Sequence, residues 1–536
     1  MSVELKSSSQ HLTLALTLAL TLVLALSSCG GPERRADLVV LNGAEPETID
    51  PALATGQLDG RICYALFDGL YHFDRFGKPQ PAIATGYDLS DDATVYTFHL
   101  RSDAKWSNGD PVTANDFVAS WKRALLPETA SEYAYVFYYI KNAAAFNEGS
   151  LKDFGQVGVH AIDDHTLRVD LNNPTPYFLS LCSFWTYLPV HIPTVTRYGD
   201  DWVKPGKLVC NGAFTLKEWR LNYRIRMEKN PLFWDASHVR LQTVDALPIE
   251  NSITAYNFYA SKIADLIPDA VLTPNSLIPE LKTRSDFHTA PFLGNYFIRF
   301  NVKRKPFNDV RVRQAFCMVI NRELIVSKIT QAGEQPAYSF TPPGTASGYV
   351  PTKQFGRNID KAKALLADAG YPDGKGFPTV SFLYDNKKLN DDIAVELQSM
   401  LAQNLGVRVD LQKQEAKVYL NTMNRLDYDF CKSSWVGDYD DPNTFLECFL
   451  SNSGNNRTGW SNEEYDRLIA AAATERDPSK RLEILGKAED ILLNQGTPIC
   501  PVYFYVGINI YDGATFGGIE PNLIDTHPFR EIYRKR

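Results

Sequence analysis

At 536 residues the chain is too long for a single core, so two or three lobes with clefts between them are expected. Hydrophobic residues make up 44% and charged residues 22%, an ordinary balance for a folded globular protein that argues against fibrous and extensively disordered classes. The net charge of −8 provides no basic face for a phosphate backbone, which argues against nucleic-acid binding.

Leu12 to Leu26 is an apolar run built almost wholly from Leu, Ala, Thr and Val, too short to span a bilayer comfortably, and it reads as the core of a signal peptide. It ends in Leu26-Ser27-Ser28-Cys29, which resembles the lipobox of bacterial lipoproteins. That resemblance implies removal of residues 1–28 and a diacylated Cys29 anchoring the protein to a bacterial membrane, in the periplasm or otherwise outside the cytoplasm. Ordinary signal cleavage without lipid is the alternative. Leu38 to Leu41 then reads as a short strand, followed by the turn-rich Asn42-Gly43-Ala44-Glu45-Pro46.

Alternation over Val95 to Leu100 predicts a strand, and Thr113 with Asp116 three residues later predicts a capped helix carrying Phe117, Val118, Trp121 and Ala124 on one side. His160 and His165 bracket two aspartates, which suits a turn between two short strands better than a metal site. A helix is expected after Asp360, with Ala362, Leu365, Leu366 and Ala369 on one face and Gly370 as its stop. Ser461 and Glu464 form a capping-box pattern ahead of Leu468 and Ile469, and Asp477-Pro478 opens a helix that runs through Leu485 and Leu492 to Gly496. A strand returns over Val502 to Val506. This interleaving without a fixed repeat predicts mixed α/β lobes.

Seven cysteines follow Cys29: Cys63, Cys182, Cys210, Cys317, Cys431, Cys448 and Cys500. Their number is odd, none of their spacings is that of a metal or redox pair, and they read as buried small hydrophobes. Gly344 to Gly348 and Gly370 to Gly376 fail as nucleophile elbow and phosphate loop, so no catalytic constellation is present and the chain does not read as an enzyme. The acidic segment from Asp438 to Asn443 fails as a calcium loop because Pro442 stands at the third ligand place. It remains either a solvated loop or a carboxylate kept to meet a cation.

Asp91 to Arg123, reading DDATVYTFHLRSDAKWSNGDPVTANDFVASWKR, resembles the signature of the bacterial extracellular solute-binding proteins of family 5, the peptide and nickel family. Segments beginning at Asn42, Gly158, Asn211, Lys305 and Pro501 resemble its oligopeptide-binding members in the same order. The resemblance implies an α/β fold of the periplasmic-binding-protein type II-like kind (cluster C), with two closing lobes and an additional domain. Its three domains would be residues 38–67, 193–293 and 509–536; residues 68–192; and residues 294–508. It implies a cofactor-free monomer that captures short peptides and delivers them to an ABC permease and ATPase complex. The alternatives are another solute, such as nickel, haem or a murein peptide, or a peptide sensor that does not import.

In this family the peptide binds as an added strand, its ammonium meeting a buried carboxylate, which matches Asp438. Ser434, Trp435 and Val436 would form one side of the backbone ladder and Thr55 to Gln57 the other, with Tyr133, Tyr503 and Tyr505 lining the cleft. Lys432, Arg304 and Asn390 match the positions that meet the peptide carboxylate, although Lys lacks the forked geometry of Arg. Lys432 could instead pair with Asp429 or Asp440, and Asp438 could cap a turn. Gly294 and Val436 occupy the two places of the family's cleft disulfide.

Overall fold

Leu38–Leu41 is apolar throughout because it is buried on both faces, pairing in parallel with Thr243–Leu247 and Leu266–Ile267. It lies in a long mixed sheet of a computed structural model that describes residues 35–536; the expected signal peptide and Cys29 lie outside the described residues. Across the sheet the strands run Val409–Gln414, Val380–Asp385, Phe430–Val436, Phe287–Phe300, Ile499–Tyr511, Leu266–Ile267, Leu38–Leu41, Thr243–Leu247, Arg224–Lys229 and Phe214–Arg220.

The two longest strands, Phe287–Phe300 and Ile499–Tyr511, run antiparallel through the middle of this sheet. Their register slips between Pro291 and Asn295, and half-buried Tyr505 and Val506 sit at that slip. Alternation along Phe287–Phe300 feeds two different cores. Tyr296, Ile298 and Phe300 pack with Phe307, Phe316 and Phe430 on one face. Leu293 and Phe297 pack with Phe340, Phe445 and Phe449 on the other. A further core gathers mainly residues between Leu38 and Leu266, among them Trp106, Trp121 and Tyr187.

A four-stranded antiparallel sheet, in the order Ala84–Leu89, Val95–Leu100, Thr166–Asp170, Val159–Asp163, stands apart from the long one. Between its strands lies the helix Ala114–Leu125, capped as expected by Thr113 and Asp116, the Thr113 amide donating to Asp116 Oδ2 at 2.7 Å. Its Phe117, Trp121 and Ala124 are buried, and Trp121 Nε1 donates to the Tyr187 carbonyl at 2.8 Å. His160 and His165 flank the turn between Val159–Asp163 and Thr166–Asp170, in keeping with the turn reading.

The helix expected after Asp360 is Ile359–Asp368, capped by Asn358, which accepts from the Lys361 amide. One later cap differs from expectation. Asn462, not Ser461, caps Glu463–Thr474, while Glu464 turns outward to pair with Arg467. In both cases the asparagine, with extended backbone, precedes the first helical residue, which is the geometry a side-chain cap requires. Asp477 caps Pro478–Asp490 as expected, and the helix continues in wider turns over Ile491–Gly496 before Thr497, at φ +46°, ends it. All seven described cysteines are free and buried.

Candidate functional site

The strand Phe430–Val436 is fully paired on one side with Phe287–Phe300, from Phe430 opposite Phe300 to Val436 opposite Gly294. On its other side it pairs with Val380–Asp385 only at Phe430 and Cys431. The edge from Lys432 to Val436 therefore has no strand partner there among the described residues, although Tyr419 Oη donates to the Lys432 carbonyl. Direct cross-strand partners share a face, so Lys432, Ser434 and Val436 lie on the same side as Ile298, Tyr296 and Gly294, with Tyr503 beyond Tyr296. The Tyr503 ring stacks on Tyr296 at 5.0 Å, and Tyr505 meets both Tyr503 and the Ser434 hydroxyl. Trp435 points to the opposite face, against the Phe297 core, where its Nε1 has no hydrogen-bond partner among the described residues. Only its backbone faces the open edge. Tyr505 also lines a cavity of about 250 Å³ with Thr289, Pro291, Gln335 and Pro342.

Just past this edge stands Asp438. Its amide donates to the Thr444 hydroxyl at 3.1 Å, and its Oδ2 accepts from Tyr135 Oη at 3.2 Å. Burial pushes its carboxyl up to about 6, against the pull of the Tyr135 hydrogen bond. Tyr135 stacks on Tyr133 at 5.5 Å, and Tyr133 meets the edge of Trp185 at 5.7 Å. Trp185 in turn donates to the Ala54 carbonyl at 3.0 Å. Its ring lies so close to Gly60 that a Cβ there would approach Cε3 to 2.5 Å. This chain of contacts ties the Thr55 segment to Asp438. Thr55 is half-buried and Gln57 exposed at the start of the helix Gln57–Leu66, whose first turn is held by Asp59 accepting from the Gly56 amide.

Lys432 pairs with neither Asp429 nor Asp440. Its Nζ lies 3.3 Å from Asp385 Oδ1, and the two side chains are only 12% and 7% exposed. Asp429 instead accepts from the Ser381 amide, and Asp440 pairs with Lys78. Asn390 is buried and donates to the same Asp385 oxygen. Two of the three residues matched to a carboxylate-binding role are thus joined through a third that the sequence reading did not include. Arg304 is not brought to them. It pairs with Asp427 at 2.6 Å and lies 3.6 Å from Asp429, at the Phe430 end of the strand. The seven residues of that strand put roughly 20 Å between this end and the Asp438 end.

The contacts around Asp438 reach across the chain. Glu447 accepts from Tyr139 Oη at 3.1 Å, Tyr439 Oη at 3.0 Å and Asn443 Nδ2 at 2.8 Å, and burial pushes its carboxyl up to about 7. Tyr177 stacks on Tyr439 with ring centres 4.1 Å apart, and Arg481 forks onto Asp441 with two bonds of 2.8 Å. Tyr135, Trp185, Glu447 and Asp385 were all missed from sequence. Tyr135 had a usable signal, standing two residues after Tyr133, but the others have none that is local.

Residues 78–457 match the family model described as bacterial extracellular solute-binding proteins, family 5 middle. The chain is 37% identical over 505 residues to the periplasmic oligopeptide-binding protein OppA of Escherichia coli, covering 92% of both. A solved structure of an oligopeptide ABC transporter periplasmic binding protein from Borrelia burgdorferi is 32% identical, with a TM-score of 0.81 over 94% of this chain and 100% of that one. The Haemophilus influenzae OppA complex with the peptide RPPGFSPFR is also 32% identical, with a TM-score of 0.78 over 94% and 99%.

Proposed function

The chain belongs to the family 5 bacterial extracellular solute-binding proteins, and from that premise we propose that it captures short oligopeptides and delivers them to an ABC permease and ATPase complex. Its fold is the mixed α/β, type II periplasmic-binding-protein kind of these relatives, and like them it is a binding protein and not an enzyme.

The observation that carries the reading is an open strand edge ending at a half-buried carboxylate. A peptide laid along Ser434 to Val436 gains main-chain hydrogen bonds regardless of its sequence, while its ammonium reaches Asp438. Tyr133 and Tyr135 flank that end, Thr55 and Gln57 provide the facing side, and Tyr503 and Tyr505 line the floor. Closure would bring residues 38–67, 193–293 and 509–536 against residues 294–508, with residues 68–192 as the additional domain. Cys29 would hold this monomer at a bacterial membrane, in the periplasm or otherwise outside the cytoplasm.

Titration calorimetry of the purified protein with peptides of two to six residues, each with a free or acetylated N-terminus, tests the reading. Free peptides should bind, and acetylation should remove most of the affinity. Absence of binding by every free peptide would overturn it.

A further inference from the structure

Lys432 and Asp385 stand where two parallel strands part. Val380–Asp385 and Phe430–Val436 are in register at Leu383 and Cys431, and one step further along each strand the pairing has ended. Lys432 therefore projects on the face that carries Ser434 and Val436, beside the open edge, with its Nζ 3.3 Å from Asp385 Oδ1. The rings of Tyr296 and Tyr419 flank the ammonium at 6.0 and 5.8 Å, and the Tyr296 hydroxyl has no hydrogen-bond partner among the described residues.

Asp385 has little freedom to leave. Its side chain is 7% exposed, and Asn390, itself buried on the helix Lys388–Leu405, donates to the oxygen that faces Lys432. Burial, and to a lesser degree the charge of Lys387, pull the Lys432 ammonium below the ordinary lysine range, and Asp385 is the chief influence opposing them. A ligand carboxylate arriving at Lys432 would meet a cation already paired and an anion beside it, and bringing a second buried carboxylate to one ammonium is unfavourable.

Resting on the peptide-binding reading, we propose that Asp385 is a specificity-determining positioning residue: by holding the charge of Lys432, it makes the cleft indifferent to the carboxylate at a peptide's C-terminus. Peptides are then selected through the ammonium at Asp438 and the main chain. Those whose C-terminus is amidated or extended bind as well as free acids of the same sequence.

Titration calorimetry on one tetrapeptide sequence in three forms, free at both ends, C-terminally amidated, and N-acetylated, tests this in the wild type first. The acid and the amide should bind within about threefold of each other, and the acetylated form should be much weaker. Asp385→Asn frees Lys432, so the acid should gain over the amide by about 10- to 100-fold, the usual value of one charge-assisted hydrogen bond. Asp385→Glu, which keeps the charge, should leave the ratio near one, and adding Lys432→Met to Asp385→Asn should restore it. A wild-type preference for the acid of about tenfold or more would overturn the inference while leaving the peptide reading intact. An unchanged ratio in a folded Asp385→Asn variant would do the same. Failure of both free and amidated forms to bind would remove the peptide reading and this inference with it.

Discussion

Asp438 can bind an ammonium only when ionised, and burial has moved its carboxyl from the ordinary 3.8 to about 6. Protons therefore compete with peptide. At pH 5 roughly a tenth of Asp438 is ionised in the ligand-free protein, so affinity should be about tenfold weaker than at pH 8, with the loss beginning as pH falls through 6. Asp438→Asn removes the charge altogether and leaves a desolvated ammonium without its partner, which costs roughly 3–5 kcal/mol, or at least a hundredfold in Kd at pH 7.5. The same group should act with opposite sign on the empty protein. A folded-state pKa above the unfolded one favours the protonated form, so stability falls as pH rises from about 4 through 6, and at neutral pH Asp438→Asn should stabilise the ligand-free fold by roughly 1–3 kcal/mol. Calorimetric Kd values at pH 5, 6, 7 and 8, with thermal melts of the empty wild type and variant, check both halves. A Kd flat across that range, or an Asn variant binding within a few-fold of wild type, would refute the assignment of the ammonium to Asp438.

Glu447 is also raised, from 4.5 to about 7, by burial that outweighs the bonds donated by Tyr139 and Tyr439, so its contribution to stability should fall as pH rises from about 4.5 through 7. Glu447→Gln keeps most of the hydrogen bonds without the charge, and its melting temperature should fall less between pH 6 and 8 than that of the wild type; equal slopes would contradict the burial of an ionisable group at this contact. Asp441→Ala should cost about 3–5 kcal/mol in urea unfolding, because it leaves Arg481 buried without its partner, whereas Asp441→Leu combined with Arg481→Met should recover most of the loss. A cost below about 1 kcal/mol for the single variant would mean that the ion pair is dispensable.

What could be read from the sequence was mostly what lies within one turn or one strand. Thr113 and Asp116 were legible as a cap because both partners belong to the same four residues, and the place of Asp438 just past its strand because that strand carries the family pattern immediately before it. At Ser461 the same reasoning failed by one residue, since Asn462 supplies an equally good cap and only the backbone angles decide between them. Gly294 and Val436, matched separately along the chain, do meet as register partners. The charges behaved differently. Arg304, Lys432 and Asn390 were chosen by residue type and position, yet Arg304 is held by Asp427 and Asp429 at the far end of the strand, and Lys432 is held by Asp385. Glu447 reaches a tyrosine 308 positions away. Residue type fixes the sign of a charge, but a ligand responds to the charge left after internal pairing, and that remainder is set by contacts between strands and lobes. Among the described residues the carboxylate at Asp438 has a hydrogen-bond donor but no cation paired with it, whereas the ammonium of Lys432 is paired with Asp385. On the proposed peptide reading, this cleft would be demanding at the peptide's amino end and permissive at its carboxyl end.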